Sequence, residues 1–154
     1  MEWLEASAFA EWVRTSLVGY PLLLTLHSIG MAIMVGLVFV VNLRLLGLFR
    51  RIPYTSLNRM LALAWIGFFI NFLSGAAIFT TQATFYVTSG PFVLKIVMVL
   101  LGALAVWYMQ TILKTDSASW VRGLPVAGTV QTLAIGSLMV WTVAITTGRF
   151  TAYL

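Results

Sequence analysis

The chain has 154 residues, 61% of them hydrophobic and only 8% charged, with a formal net charge of +5 and a mean hydropathy of +1.01. A soluble domain carries about a quarter charged residues, so this composition excludes a water-facing fold and belongs in lipid. Cysteine is absent, which excludes disulfides, thiolate metal sites and all-cysteine iron–sulfur clusters within the chain.

The opening segment, "MEWLEASAFAEWVRTS", carries three glutamates and one arginine. A cleaved signal peptide needs a basic start and a shorter apolar run, so the first apolar run is expected to stay in the mature protein. Trp3, Leu4, Phe9, Trp12 and Val13 set against Glu2, Glu5, Glu11 and Arg14 predict a short interfacial helix, with the tryptophans carrying the argument.

Four apolar runs follow, each long enough to cross a hydrocarbon core about 30 Å thick. They cover about Leu17 to Val41, Leu57 to Thr80, Pro91 to Leu113 and Leu124 to Thr147. The joining loops, "FRRIPYTS", "QATFYVTS" and "KTDSASWVRG", are short, and short loops favour antiparallel neighbours. The expectation is one all-α domain, an integral membrane four-helix up-down bundle. Arg44, Arg50, Arg51, Arg59, Lys114 and Arg122 flank the first and third loops, whereas the other side holds only Arg14 and Arg149. By the positive-inside rule both termini face outward, which is periplasmic for a bacterial inner membrane. The positive charge then reflects topology and contact with anionic lipid, not nucleic acid.

Polar residues inside the spans must be satisfied by protein or water, and they mark function by default. The only histidine, His27, lies in "YPLLLTLHSIGMAIMVG" in the outer half of the first span. Asn71 and Ser74 sit at similar depth in the second, Lys95 in the third, and Arg149 closes the fourth. A neutral imidazole ligates haem iron or copper through one nitrogen while the other donates to an acceptor. Gly30 and Gly36, with Gly19 two turns earlier, clear side chains from that helix and would admit a flat macrocycle. The competing reading is a histidine that only hydrogen-bonds a neighbouring helix, with the glycines serving close packing.

A lone histidine excludes bis-histidine haem within one subunit. Met98 and Met139, at the depth of His27 by residue count, are the soft ligands left. Methionine in such helices is usually packing. Lys95 with Arg149 would pair haem propionates, or Lys95 would snorkel to the headgroups. The spans hold no Asp or Glu, which argues against a carboxylate proton relay. A second histidine, a phosphate-binding glycine loop and a Ser-His-Asp set are also missing, so zinc, nucleotide and hydrolase chemistry fall away.

"YPLLLTLHSIGMAIMVGLVFVVNLRLLGL", "PFVLKIVMVLLGAL" and "SLMVWTVAITTGRFTAY" resemble segments of a family of small four-helix bacterial inner-membrane proteins of unknown function. That family is distantly similar to copper-resistance protein D and to haem-b membrane cytochromes. The distinctive letters are His27, Gly30, Gly36, Arg44 to Gly47, Phe92, Lys95, and Gly148 and Arg149 before Ala152 and Tyr153. The chain departs from the pattern at Asn42, where an Asp is common, and at Ala105, where an Asn is. The resemblance implies the four-helix fold and a role for His27, Lys95 and Arg149, with haem b as the expected cofactor and copper as the alternative. A cofactor-free accessory or transport subunit is the competing class. Small residues in "SGAAIF" and "GSLMVW" predict a homo-oligomer, a dimer or trimer, and a haem reading adds a periplasmic redox partner.

Overall fold

The computed structural model describes residues 1–115 and 128–151 and contains, among these, seven helices: α1 (Glu2–Glu5), α2 (Ala8–Thr15), α3 (Gly19–Leu45), α4 (Tyr54–Phe79), α5 (Ala83–Thr88), α6 (Gly90–Thr115) and α7 (Gly128–Phe150). Four of them, α3, α4, α6 and α7, are 23 to 27 residues long and apolar enough to cross a membrane. The protein is an all-α membrane bundle. The core packs α3 most extensively on α4 and α6 on α7; α3 against α7 joins the two pairs, and the α4–α6 contact is slight.

Helix ends follow local chemistry. The third helix runs past the expected Val41 to Leu45 and stops where Gly47 adopts φ +96°. There the N–H of Leu48 reaches back to the carbonyl of Leu43 at 2.9 Å, which closes the helix end. Pro53, the N-cap of α4, starts that helix three residues before the expected Leu57. Lipid-facing sequence sets hydropathy boundaries, but helices continue through the polar headgroup layer, so three of the four spans outlast their apolar runs. The third loop, 116–127, and with it the expected start of the fourth span, lies outside the described residues.

Two departures from expectation occur at the end bearing the N-terminus, here the cap end. The opening segment is two helices rather than one, divided at Ser7, whose Oγ caps α2 by accepting the N–H of Ala10 at 3.2 Å. The loop "QATFYVTS" contains the short helix α5. Ala10 and Val13 of α2 are fully buried, while Trp3, Phe9 and Trp12 are exposed. The cap thus turns its small face to the bundle and leaves its aromatic rings exposed.

The opposite, basic end is held by Arg44. Its Nε donates to the carbonyl of Ile52 at 2.7 Å, its NH1 group donates to Tyr54 Oη at 3.1 Å, and the guanidinium lies 4.0 Å from the Tyr54 ring centre. Between the ends, Met34, Val38, Val41, Leu57, Leu61, Ala64, Val106, Met109, Ala134 and Trp141 form the core. Its polar bridge is Asn42 Nδ2 donating to Ser137 Oγ at 3.0 Å, both side chains buried.

Candidate functional site

His27 sits on the face of α3 that meets α4. Its Nδ1 is 2.9 Å from the backbone carbonyl of Asn71, and the Asn71 side-chain amide returns a bond to the backbone carbonyl of His27 at 2.7 Å. A carbonyl only accepts, so Nδ1 carries the hydrogen. Ser74 Oγ stands 3.3 Å from the same nitrogen and gives its own hydrogen to Ile70 O at 2.6 Å, which leaves it a second acceptor for Nδ1–H. The other ring nitrogen, Nε2, has no hydrogen-bond partner among the described residues. The half-buried ring is therefore fixed in tautomer and orientation, with a free lone pair.

Glycine makes the seat, but at a different position from the one the sequence marked. A Cβ added at Gly75 of α4 would stand 2.9 Å from His27 Cε1 and 3.1 Å from Nδ1, so the imidazole rests directly on that glycine. Gly30 does not open space for a ligand. A Cβ there would meet Asn71 N at 2.6 Å and Gly67 O at 2.8 Å, because α3 and α4 touch backbone to backbone at Gly30 and Gly67. The room expected beside Gly30 is filled by α4, and Gly36 has nothing within 4 Å. Ser74 and Gly75 of "SGAAIF" and Ser137 of "GSLMVW" are likewise used inside the bundle.

A cavity of about 200 Å³ lies beside the ring at the cap end, lined from all four long helices and from α5. His27 shares it with Lys95 and Arg149, and the Lys95 stem lies across Gly148, where a Cβ would come 3.2 Å from its Cδ. Phe79, Tyr86 and Phe92 form an aromatic wall, with Phe79 and Phe92 stacked at 5.7 Å and Tyr86 tilted against Phe92 at 5.0 Å. Leu24 and Ser28 line the cavity and are exposed on the bundle flank, so it is open there.

The structure brings His27, Lys95 and Arg149 together and supports His27 with Asn71, as the polar letters of the spans implied. The methionines divide differently. Met139 is 65% exposed and Met98 packs against the core, and neither lines the cavity. Met31, one turn from His27 on its own helix, does. Gly75, Tyr20, Phe79 and Tyr86 carry no signal of a site in the sequence, whereas Phe92 and Gly148 stand among the distinctive letters of the resemblance.

As a haem-b site the donors fit: an imidazole with a held Nδ1–H and a free Nε2, beside two cations for two propionates. The cavity volume is below the roughly 300–1,000 Å³ of drug-sized pockets, so a macrocycle would need room beyond it. For copper the fit is poor, since a metal cation at Nε2 would share the cavity with two cationic side chains and no carboxylate of the spans. Among the described residues no group of three His, Cys, Asp or Glu side chains could hold a metal ion. No protein-family model, curated protein or solved structure matches this chain.

Proposed function

We propose that the cap-end cavity is the binding site of haem b, whose iron His27 Nε2 would hold and whose carboxylates Lys95 and Arg149 would pair with, in a multi-pass bacterial inner-membrane protein whose termini face the periplasm. One observation carries the reading: the imidazole whose Nδ1–H is engaged by Asn71 lines a cavity that also contains Lys95 and Arg149. The spans offer those cations no carboxylate, so their charge is available to a ligand. Haem b bound there would supply one-electron redox chemistry, which suits an electron-transfer component with a periplasmic partner. The protein's own residues hold and orient: Asn71 and Gly75 fix the imidazole, and Lys95 and Arg149 pair with carboxylates.

Absorption spectroscopy tests this directly. Protein made in haem-replete cells should show a Soret band that is absent from His27→Ala of unchanged helicity; colourless, folded wild type removes the haem reading. The cavity volume of about 200 Å³ favours a second reading, a small organic acid bound without any cofactor. That acid would bind to colourless protein and be lost in Lys95→Met.

A further inference from the structure

A second chamber, about 700 Å³, opens at the cap end and is lined by Glu5, Tyr20, Gln82, Thr84, Phe85, Tyr86 and Thr151. Three of these residues, Tyr20, Tyr86 and Thr151, also line the His27 cavity. The two spaces therefore adjoin across two phenols and a threonine. The outer lining is polar, with a carboxylate, an amide and hydroxyls, and such a surface is wetted by water. The inner lining is aromatic and cationic.

The far side of the inner cavity is closed. Gly30 and Gly67 bring α3 and α4 into backbone contact one turn beyond His27, and beneath them Met34, Val38, Ala134 and Trp141 are buried in a packed core. The flank opening at Leu24 and Ser28 faces the lipid side of the bundle, where a charged solute pays heavily to travel.

We propose that the two chambers form one blind aqueous path from the cap end to His27, through which small water-borne anions or neutral polar solutes reach Nε2 past the Tyr20, Tyr86 and Thr151 neck. The path selects by charge at Lys95 and Arg149 and by size at the neck. It ends at the imidazole, so one chain gives His27 access to a single side of the membrane and is not a pore. This concerns the route and stands apart from which group occupies the site.

The absence of cysteine gives a silent background for single-cysteine labelling in nanodiscs with anionic sulfonatoethyl methanethiosulfonate. Met31→Cys and Ala144→Cys sit in the inner cavity, Thr84→Cys in the outer chamber, and Val38→Cys beyond the closure. Thr84→Cys should react fastest, the two inner cysteines measurably, and Val38→Cys not at all. Adding Tyr86→Ala should speed the inner cysteines by an order of magnitude and leave Thr84→Cys unchanged. The proposal is overturned if both inner cysteines resist the sulfonate reagent while reacting with lipid-soluble N-ethylmaleimide, since entry is then from the lipid. It is equally overturned if they resist both reagents, if Tyr86→Ala has no effect on them, or if Val38→Cys labels as fast as they do. Should one inner variant fail to fold, the other carries the test, and recording the absorption spectrum of each sample keeps the haem question separate.

Discussion

At His27 a single carbonyl decides the chemistry. Because Asn71 O only accepts, Nδ1 is protonated and Nε2 is the open nitrogen. With one histidine in the chain, nitrogen NMR of labelled protein is unambiguous: the neutral ring should show a protonated Nδ1 and a bare Nε2, and the reverse tautomer would contradict the site. Gly75→Ala places a methyl 2.9 Å from the ring and pushes it off the Asn71 carbonyl, so the same spectrum should lose that tautomer preference while helicity is kept. If haem is bound, Lys95→Met and Arg149→Gln should each lower occupancy or move the reduction potential downward. Removing a positive charge disfavours the reduced, more negative state, and redox titration showing neither change sinks the propionate pairing. His27, Asn71, Lys95 and Arg149 were legible in the sequence because a polar side chain in an apolar span needs a reason to be there. Gly75 was not. Periodicity shows which residues share a helix face, but not which face meets which neighbour, so Gly30 was assigned the ligand space that the contact with α4 fills.

Helix pairs obey the same logic over a longer reach. At the α3–α4 crossing the would-be Cβ of Gly30 is 2.6 Å from a backbone nitrogen, and that of Gly67 is 2.7 Å from the nitrogen of Met34. Backbone cannot swing aside as a side chain does, so Gly30→Ala and Gly67→Ala should each separate the helices, at a cost of about 1–3 kcal/mol typical of overpacking. Gly36 sits on the same helix with nothing within 4 Å, and Gly36→Ala should be neutral or stabilising by up to about 1 kcal/mol through helix propensity. Unfolding in mixed micelles compares the three, and equal losses would refute the crossing. Span number and order were readable from hydropathy alone, as was helix in the opening segment. The division at Ser7 and the helix within "QATFYVTS" were not, because segments of four to eight residues owe their helicity to tertiary contacts rather than to any periodic signal.

Across the whole molecule, the candidate site lies at one end, and the cap that covers this end is held by few bonds. Glu5 Oε1 accepts the backbone N–H of Thr84 at 2.6 Å, tying α1 to α5, and Arg14 donates to the Glu5 carbonyl at 3.0 Å. The Thr84 N–H holds the Glu5 carboxyl below its ordinary range, and the nearby Arg14 charge adds in the same direction. A carboxyl depressed in the folded state contributes stability above its unfolded value, and that contribution is lost as the pH falls through the folded value. The tie is therefore intact at neutral pH and weakens only in acid, below the usual carboxylate range near about 4.3. Because Glu5 is only partly buried at the surface, solvent screens the effect, and the change should be a local loosening of α1 rather than unfolding. Amide exchange at Thr84 should accelerate over that acid range, beyond its intrinsic pH dependence, in wild type. In Glu5→Gln the amide oxygen still accepts but does not titrate, and the excess should vanish. An acid response equal in the two proteins would place the loosening elsewhere and remove Glu5 as the clasp over the outer chamber.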